Sequence, residues 1–264
     1  MKIKNIYLWI IAIILTLASA YYQRITGPSY PLKGKFNING RELVYNLERS
    51  HSSSEDFKLR IEITDPTVTG SVKWKRYKSF DEWRSISMIN KDGSLEALIP
   101  KQPAAGKIMY NVELTSGNRV IELTNVPVVM RFRGDVPAGV LIPHILCMFI
   151  MMLLSTRTGL EYFSQAPRYK IYTFLTLVFV IAGGMILGPV TQKFAFGEFW
   201  TGVPFGFDLT DNKTLIALIA WIAGLWGVYK SKHPGRWILA AAVITLIVFL
   251  IPHSVLGSEI DYRK

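Results

Sequence analysis

The chain has 264 residues, half of them hydrophobic, with a formal charge of +11 and a single cysteine. A uniformly soluble globule is excluded by the apolar residues, which gather in five runs close to the roughly 20 residues a helix needs to span hydrocarbon. The lone Cys147 excludes an internal disulfide and a cysteine metal cluster. No nucleic-acid motif accompanies the positive charge, so nucleic acid is not an expected partner.

The first run, 6–20, comes after Lys2 and Lys4, which the positive-inside rule places in the cytoplasm. It ends Leu17-Ala18-Ser19-Ala20, a pattern compatible with signal-peptidase cleavage. An uncleaved anchor is the alternative, favoured by the length of the run and by Tyr21-Tyr22 at an interface. In either case residues 1–21 direct the export of the polar segment beginning at Tyr22.

Residues 22–135 are polar and strand-like. Phe57, Leu59, Ile61 and Ile63 alternate onto one face, as do Val72 with Trp74 and Ile108 with Tyr110, Val112 and Leu114. Turn signals separate the runs: Asn39-Gly40, Asp65-Pro66, Asp92-Gly93 and Gly117-Asn118. The pattern predicts an antiparallel β-sandwich with Trp74, Ile61 and Tyr110 in its core. The span from Val72 through Trp74, Trp83, Pro100 and Gly106 to Tyr110 resembles fibronectin-type or immunoglobulin-like modules. That resemblance implies a tyrosine corner at Tyr110 and says nothing about chemistry. His51, in Ser50-His51-Ser52-Ser53, reads as an exposed loop residue. No nucleophile–base pair stands out in this domain.

Four further apolar runs complete the chain, 136–155, 169–190, 214–229 and 237–252. The connectors after the first and third are basic: Arg157, Arg168 and Lys170, then Lys230, Lys232, His233 and Arg236. Both are expected in the cytoplasm, which leaves the C-terminus outside, in an inner-membrane protein with a periplasmic domain. The expected fold is therefore mixed. An N-terminal anchor precedes an exported all-β sandwich, and a four-helix membrane bundle occupies 136–264, for five membrane helices in total.

Residues 188–212 are expected as an outer loop. Phe194, Phe196, Phe199, Trp200, Phe205 and Phe207 crowd it, with glycines between them. Such a loop suits an interface belt or a shelf for a flat ligand. Two histidines share a tetrapeptide, Leu141-Ile142-Pro143-His144 and Leu250-Ile251-Pro252-His253, and the topology puts both at the outer ends of their helices. Haem is flat, apolar on its faces, and takes imidazole as an axial ligand. Lys193 is the cation expected to pair with a propionate. Asp208, Asp211 and Glu198 form a conceivable acid–base set, but their spacing favours no specific reaction, so no catalytic residue is assigned.

Gly188-Pro189, Phe196-Gly197 and Phe199-Trp200 resemble the tryptophan-rich signature of the haem-handling membrane proteins of cytochrome c maturation. In that family a Gly-Pro pair precedes Trp-Gly, paired Trp and Trp-Asp in an outer loop flanked by two histidines. The stretch from Asp211 to Trp221 looks like the helix that comes after the signature. The resemblance implies haem as cofactor, Phe196, Phe199 and Trp200 as its shelf, and His144 and His253 as iron ligands. This chain departs from the pattern in having phenylalanine for two of the tryptophans, no Trp-Asp pair, and the exported sandwich. The competing expectation is a non-catalytic membrane component whose β domain docks an exported or membrane partner protein.

Overall fold

The computed structural model describes every residue except Met1, Ser254 and Leu256, so those two positions of the expected outer C-terminal segment lie outside the described residues. Two compact units emerge. One is helical, built from Met1–Pro28, Val136–Phe194 and Glu198–Gly257; the other is the β unit, built from Ser29–Asp135 with Ala195–Gly197 and Ser258–Lys264.

In the β unit, β1 (Leu32–Ile38) and β2 (Arg41–Leu47) form a hairpin around Asn39-Gly40. Both turn residues have positive φ, 51° and 76°, as a two-residue hairpin turn requires. One larger sheet runs β3 (Ser50–Ser52), β11 (Val128–Arg133), β9 (Lys107–Ser116), β5 (Thr69–Arg76) and β6 (Arg84–Ser87), with β10 (Arg119–Glu122) also on β9. A second sheet orders β4 (Phe57–Glu62), β8 (Ser94–Ile99) and β7 (Ile89–Lys91). The pairing is antiparallel except between β3 and β11.

The alternating residues point inward as their period of two demands. Phe57, Leu59, Ile61, Val72, Trp74, Ile108, Tyr110, Val112 and Leu114 share one buried core. The rings of Phe57 and Tyr110, 5.9 Å apart, join the two sheets in a sandwich-like arrangement. Tyr110 donates its hydroxyl to the Glu48 carbonyl at 2.7 Å, far back along the chain. A tyrosine corner would bond a few residues upstream, so that expected detail is replaced by a long-range tie. His51 also departs from its loop assignment. It lies in β3 opposite Phe132 and packs its ring against Phe57 at 5.1 Å. The Ser-rich run pairs as a strand because β11 offers it an edge.

The tail Ser258–Lys264 packs within the β unit. Glu259 pairs with Lys78 and Lys107, the Ile260 amide donates to the Ala105 carbonyl, and Tyr262 lies under the Arg76 guanidinium.

The helical unit contains four helices long and apolar enough to cross a membrane: α1 (Asn5–Thr26), the span Ala138–Phe163, the span Tyr169–Phe196 and α5 (Leu209–Lys230). The second span comprises α2 (Ala138–Leu160) and a short 3-10 turn; the third comprises α3 (Tyr169–Phe179), a π-helical stretch Val180–Leu187 and α4 (Gly188–Phe196). A further apolar helix, α6 (Pro234–Leu250), has 17 residues.

Two sequence expectations change here. The loop expected from 188 is helical through Phe196, despite Pro189. Proline removes a donor and crowds the carbonyl four residues back. The wider π turns just before it are one of the recognised ways a helix absorbs such a disruption. Arg157, expected in a basic connector, is fully buried in α2. Glu161, one turn on, pairs with it at 2.6 Å, Asn5 accepts from it, and the Trp9 and Tyr172 rings stand 5.3 and 4.9 Å away.

Candidate functional site

His144 lies in α2 directly after Pro143. Its Nδ1 is 3.0 Å from the Gly183 carbonyl in the π-helical stretch. A carbonyl only accepts, so this bond puts the proton on Nδ1 and leaves the Nε2 lone pair of the neutral ring unshared with that proton. The close approach depends on glycine. A Cβ on Gly183 would sit 2.9 Å from Cys147 Cβ, whereas one on Gly188 would make only ordinary contact, 3.7 Å, with the imidazole Cε1. The small residues and the π turns together let α2 press its histidine against this backbone.

His253 lies just past the end of α6 and is exposed. The two residues before it, Ile251 and Pro252, offer their carbonyls to Lys213. Lys213, in the second turn of α5, is 2% exposed and donates to the Ile251 carbonyl at 2.7 Å. It thus closes the C-terminal end of α6, where helix carbonyls lack intrahelical partners. Both histidines of the repeated tetrapeptide lie in the helical unit, and the buried Lys213 ammonium bonds the backbone just before His253.

The loop after α4 is stapled to the start of α5. Asp208 caps the helix by accepting from the Thr210 amide at 2.8 Å. Asp211 accepts from the backbone amides of Thr201 and Gly202 at 2.6 and 3.0 Å, and from Gln192 at 3.1 Å. Asn212 accepts from the Val203 amide at 2.8 Å. The two aspartates are thus engaged with backbone donors, which accounts for them structurally and gives an acid–base set no support.

The predicted aromatic shelf divides. Trp200 donates its indole N–H to the Val203 carbonyl at 3.1 Å, within the loop. Phe199 is 54% exposed and has the Lys193 ammonium 5.4 Å from its centroid. Phe196 belongs to the β unit, with the Arg131 guanidinium 5.1 Å from its ring. Phe205 and Phe207 are 82% and 86% exposed.

Family models, curated proteins and solved structures give no match to this chain. The site must therefore be read from its own chemistry.

Among the described residues no three His, Cys, Asp or Glu side chains are placed to hold a metal ion. A bare ion would need further ligands. A porphyrin brings four nitrogens of its own and asks the protein only for axial ones, which two imidazoles can supply. His144, with Nδ1 bound to the Gly183 carbonyl, has the tautomer one such ligand needs. Of the aromatic set, Phe199 and Trp200 share their unit with the histidines, while Phe196 does not. Lys213, Gln192 and Asn212 carry much of the local order and are missed by sequence reasoning. Asp208 and Thr210, a helix-cap signal before an apolar run, were the available clue to an earlier start for α5.

Proposed function

We propose that this chain is an integral protein of the cell membrane that binds haem on its outer face, with His144 and His253 as axial ligands. The observation that carries the proposal is His144 held through Nδ1 by the Gly183 carbonyl, with His253 past the end of α6 in the same helical unit. An imidazole oriented by a carbonyl on one nitrogen presents the other as a ligand, the usual supporting arrangement around metal-binding histidines. Phe199 and Trp200 are the apolar side chains assigned to the macrocycle, and Lys193 is the cation assigned to a propionate. Haem, when bound, would supply redox or carrier chemistry; the chain's own residues bind, orient and charge-match it.

The same proposal has five membrane crossings, with the N-terminus in the cytoplasm and the β domain and C-terminus outside. The basic 230–236 connector and the tail's membership of the β unit support it, because the chain then has to return to the β domain's side after α6. At 1.5 Å per residue, α6 reaches about 26 Å, a little short of a typical hydrocarbon core. Cysteine placed at Ser164 and at Ser258 should label from opposite faces of the membrane, and labelling from one face alone refutes the topology.

Colour tests the ligand. Protein purified from haem-replete cells should show a Soret band that is lost in His144→Ala and in His253→Ala. Colourless protein that also fails to take up added haem refutes the haem reading. A second reading, docking of a partner protein by the exported domain, is favoured by Phe80, which stands 85% exposed between β5 and β6 with Trp83 at 41% nearby in the chain. Colourless protein that retains a co-purifying partner, lost on Phe80→Ser, is the outcome it requires.

A further inference from the structure

At the other end of α6 from His253, the helical unit has a cavity of about 550 Å3. Lys2, Lys232, His233 and Arg236 line it, with Tyr162 and Tyr169. The three Lys and Arg side chains are exposed, and α6 starts at the cavity wall with Pro234 in its first turn. Tyr162 and Tyr169 close over Gly235, where a Cβ would meet the Tyr169 hydroxyl at 2.8 Å and the Tyr162 ring at 2.9 Å. Glycine there keeps both phenols against the start of the helix.

The charge at this end is not balanced by the chain itself. The segments 1–28, 155–172 and 226–240 contain one acidic residue, Glu161. That carboxylate is 1% exposed, paired with Arg157, and accepts from the Arg168 amide. Nothing anionic in these segments is therefore offered to Lys2, Lys232 or Arg236. The start of a helix adds a positive dipole end. Tyrosines at a polar–apolar boundary suit the depth of lipid headgroups.

We propose that this cavity binds the phosphate of an anionic ligand, in the membrane the headgroup of an acidic phospholipid. Lys232 and Arg236 hold the phosphate oxygens with Lys2, the α6 start adds its dipole, and the tyrosines flank the glycerol. A soluble phosphate ester has the same recognition chemistry, so the test separates the two sources. It does not depend on haem.

The probes are phosphatidylglycerol and phosphatidylcholine in mixed micelles, and inorganic phosphate, each added to the full chain in neutral detergent. The readouts are the melting temperature and native mass spectrometry of retained lipid. Phosphatidylglycerol should raise the melting temperature and remain bound where phosphatidylcholine does not. Removing a charge, as in Lys232→Gln or Arg236→Gln, should weaken the effect roughly fivefold, the usual contribution of one basic residue at an anionic surface. Lys232→Arg should preserve it, and so should Lys4→Gln, an exposed cation outside the cavity lining. A rise with inorganic phosphate as large as with the lipid, lost in the same variants, upholds the site and assigns it a soluble ligand. Equal responses to the two lipids, or a phosphatidylglycerol response unchanged in both charge-removing variants, overturn the proposal.

Discussion

Arg157 and Lys213 are both buried in the helical unit, and their surroundings differ. Arg157 meets a carboxylate, an amide oxygen and two aromatic rings, so its charge is answered by groups from α1, the 3-10 turn and α3. Lys213 bonds backbone carbonyls at the end of α6, with Asp208 in electrostatic reach. A planar guanidinium suits fixed, many-sided pairing, whereas an ammonium is a compact point charge. The first arrangement is a lock between helices. The second closes one helix end and leaves a positive field beside His253. Buried charge in this molecule thus serves cohesion at one pole and the candidate site at the other.

The largest expected effect breaks the lock. Glu161→Gln leaves the guanidinium buried without its counter-charge and should cost about 3–5 kcal/mol of stability in detergent. The double variant Arg157→Met, Glu161→Leu should recover most of that, because neither charge remains to be desolvated. A loss below about 1 kcal/mol for the single change would show that the pair is not the lock described.

The cap should be weaker. Lys213→Met leaves the Ile251 carbonyl without its donor, a penalty of about 1–3 kcal/mol. Denaturant melts of the two single variants on one scale sharpen the contrast. Equal losses would make Lys213 a lock as well and erase the distinction.

The smallest effect lies in the β unit, where a third kind of charge pairing is more open to solvent. Burial alone would raise the Glu259 carboxyl, but hydrogen bonds from Lys107 and Lys78 outweigh it and hold the group below the usual glutamate range. A lowered folded value means the stabilisation is fully present above the unfolded glutamate range and fades as pH falls through the folded value. Acidification should therefore loosen the tail before the sandwich unfolds. Fluorescence from a probe at Ser258 would report it, and a tail whose attachment is unchanged down to the pH where the sandwich melts would refute it.

Legibility in the sequence tracks the range of each interaction. Phe57, Leu59 and Ile61 declared their shared face because strand alternation is local, and Asn39-Gly40 declared its turn for the same reason. The apolar runs marked the apolar helices but misplaced their ends. Polar caps such as Asp208 extend α5 beyond the hydrophobic stretch, and the π turns carry a helix through Pro189. Arg157 and Glu161 sit four residues apart, a readable pair, yet the neighbouring cations made the segment look like a connector. The repeated tetrapeptide singled out His144 and His253, but the Gly183 carbonyl that orients His144 belongs to a π-helical stretch the pattern does not show. The hold of Lys213 on the Ile251 carbonyl joins residues distant in the chain, through a backbone atom that no side-chain pattern encodes.

An order of assembly is implicit in the packing of the tail. Ser258–Lys264 leaves the ribosome after α6, yet it supplies Glu259 to Lys78 and Lys107 and Tyr262 to Arg76, all in strands or turns made long before. The sandwich can form its core early, as domains do during synthesis. Its basic surface acquires those partners only once α6 has been made and the tail can reach it. A step that comes after α6 is thus recorded on a domain made before it.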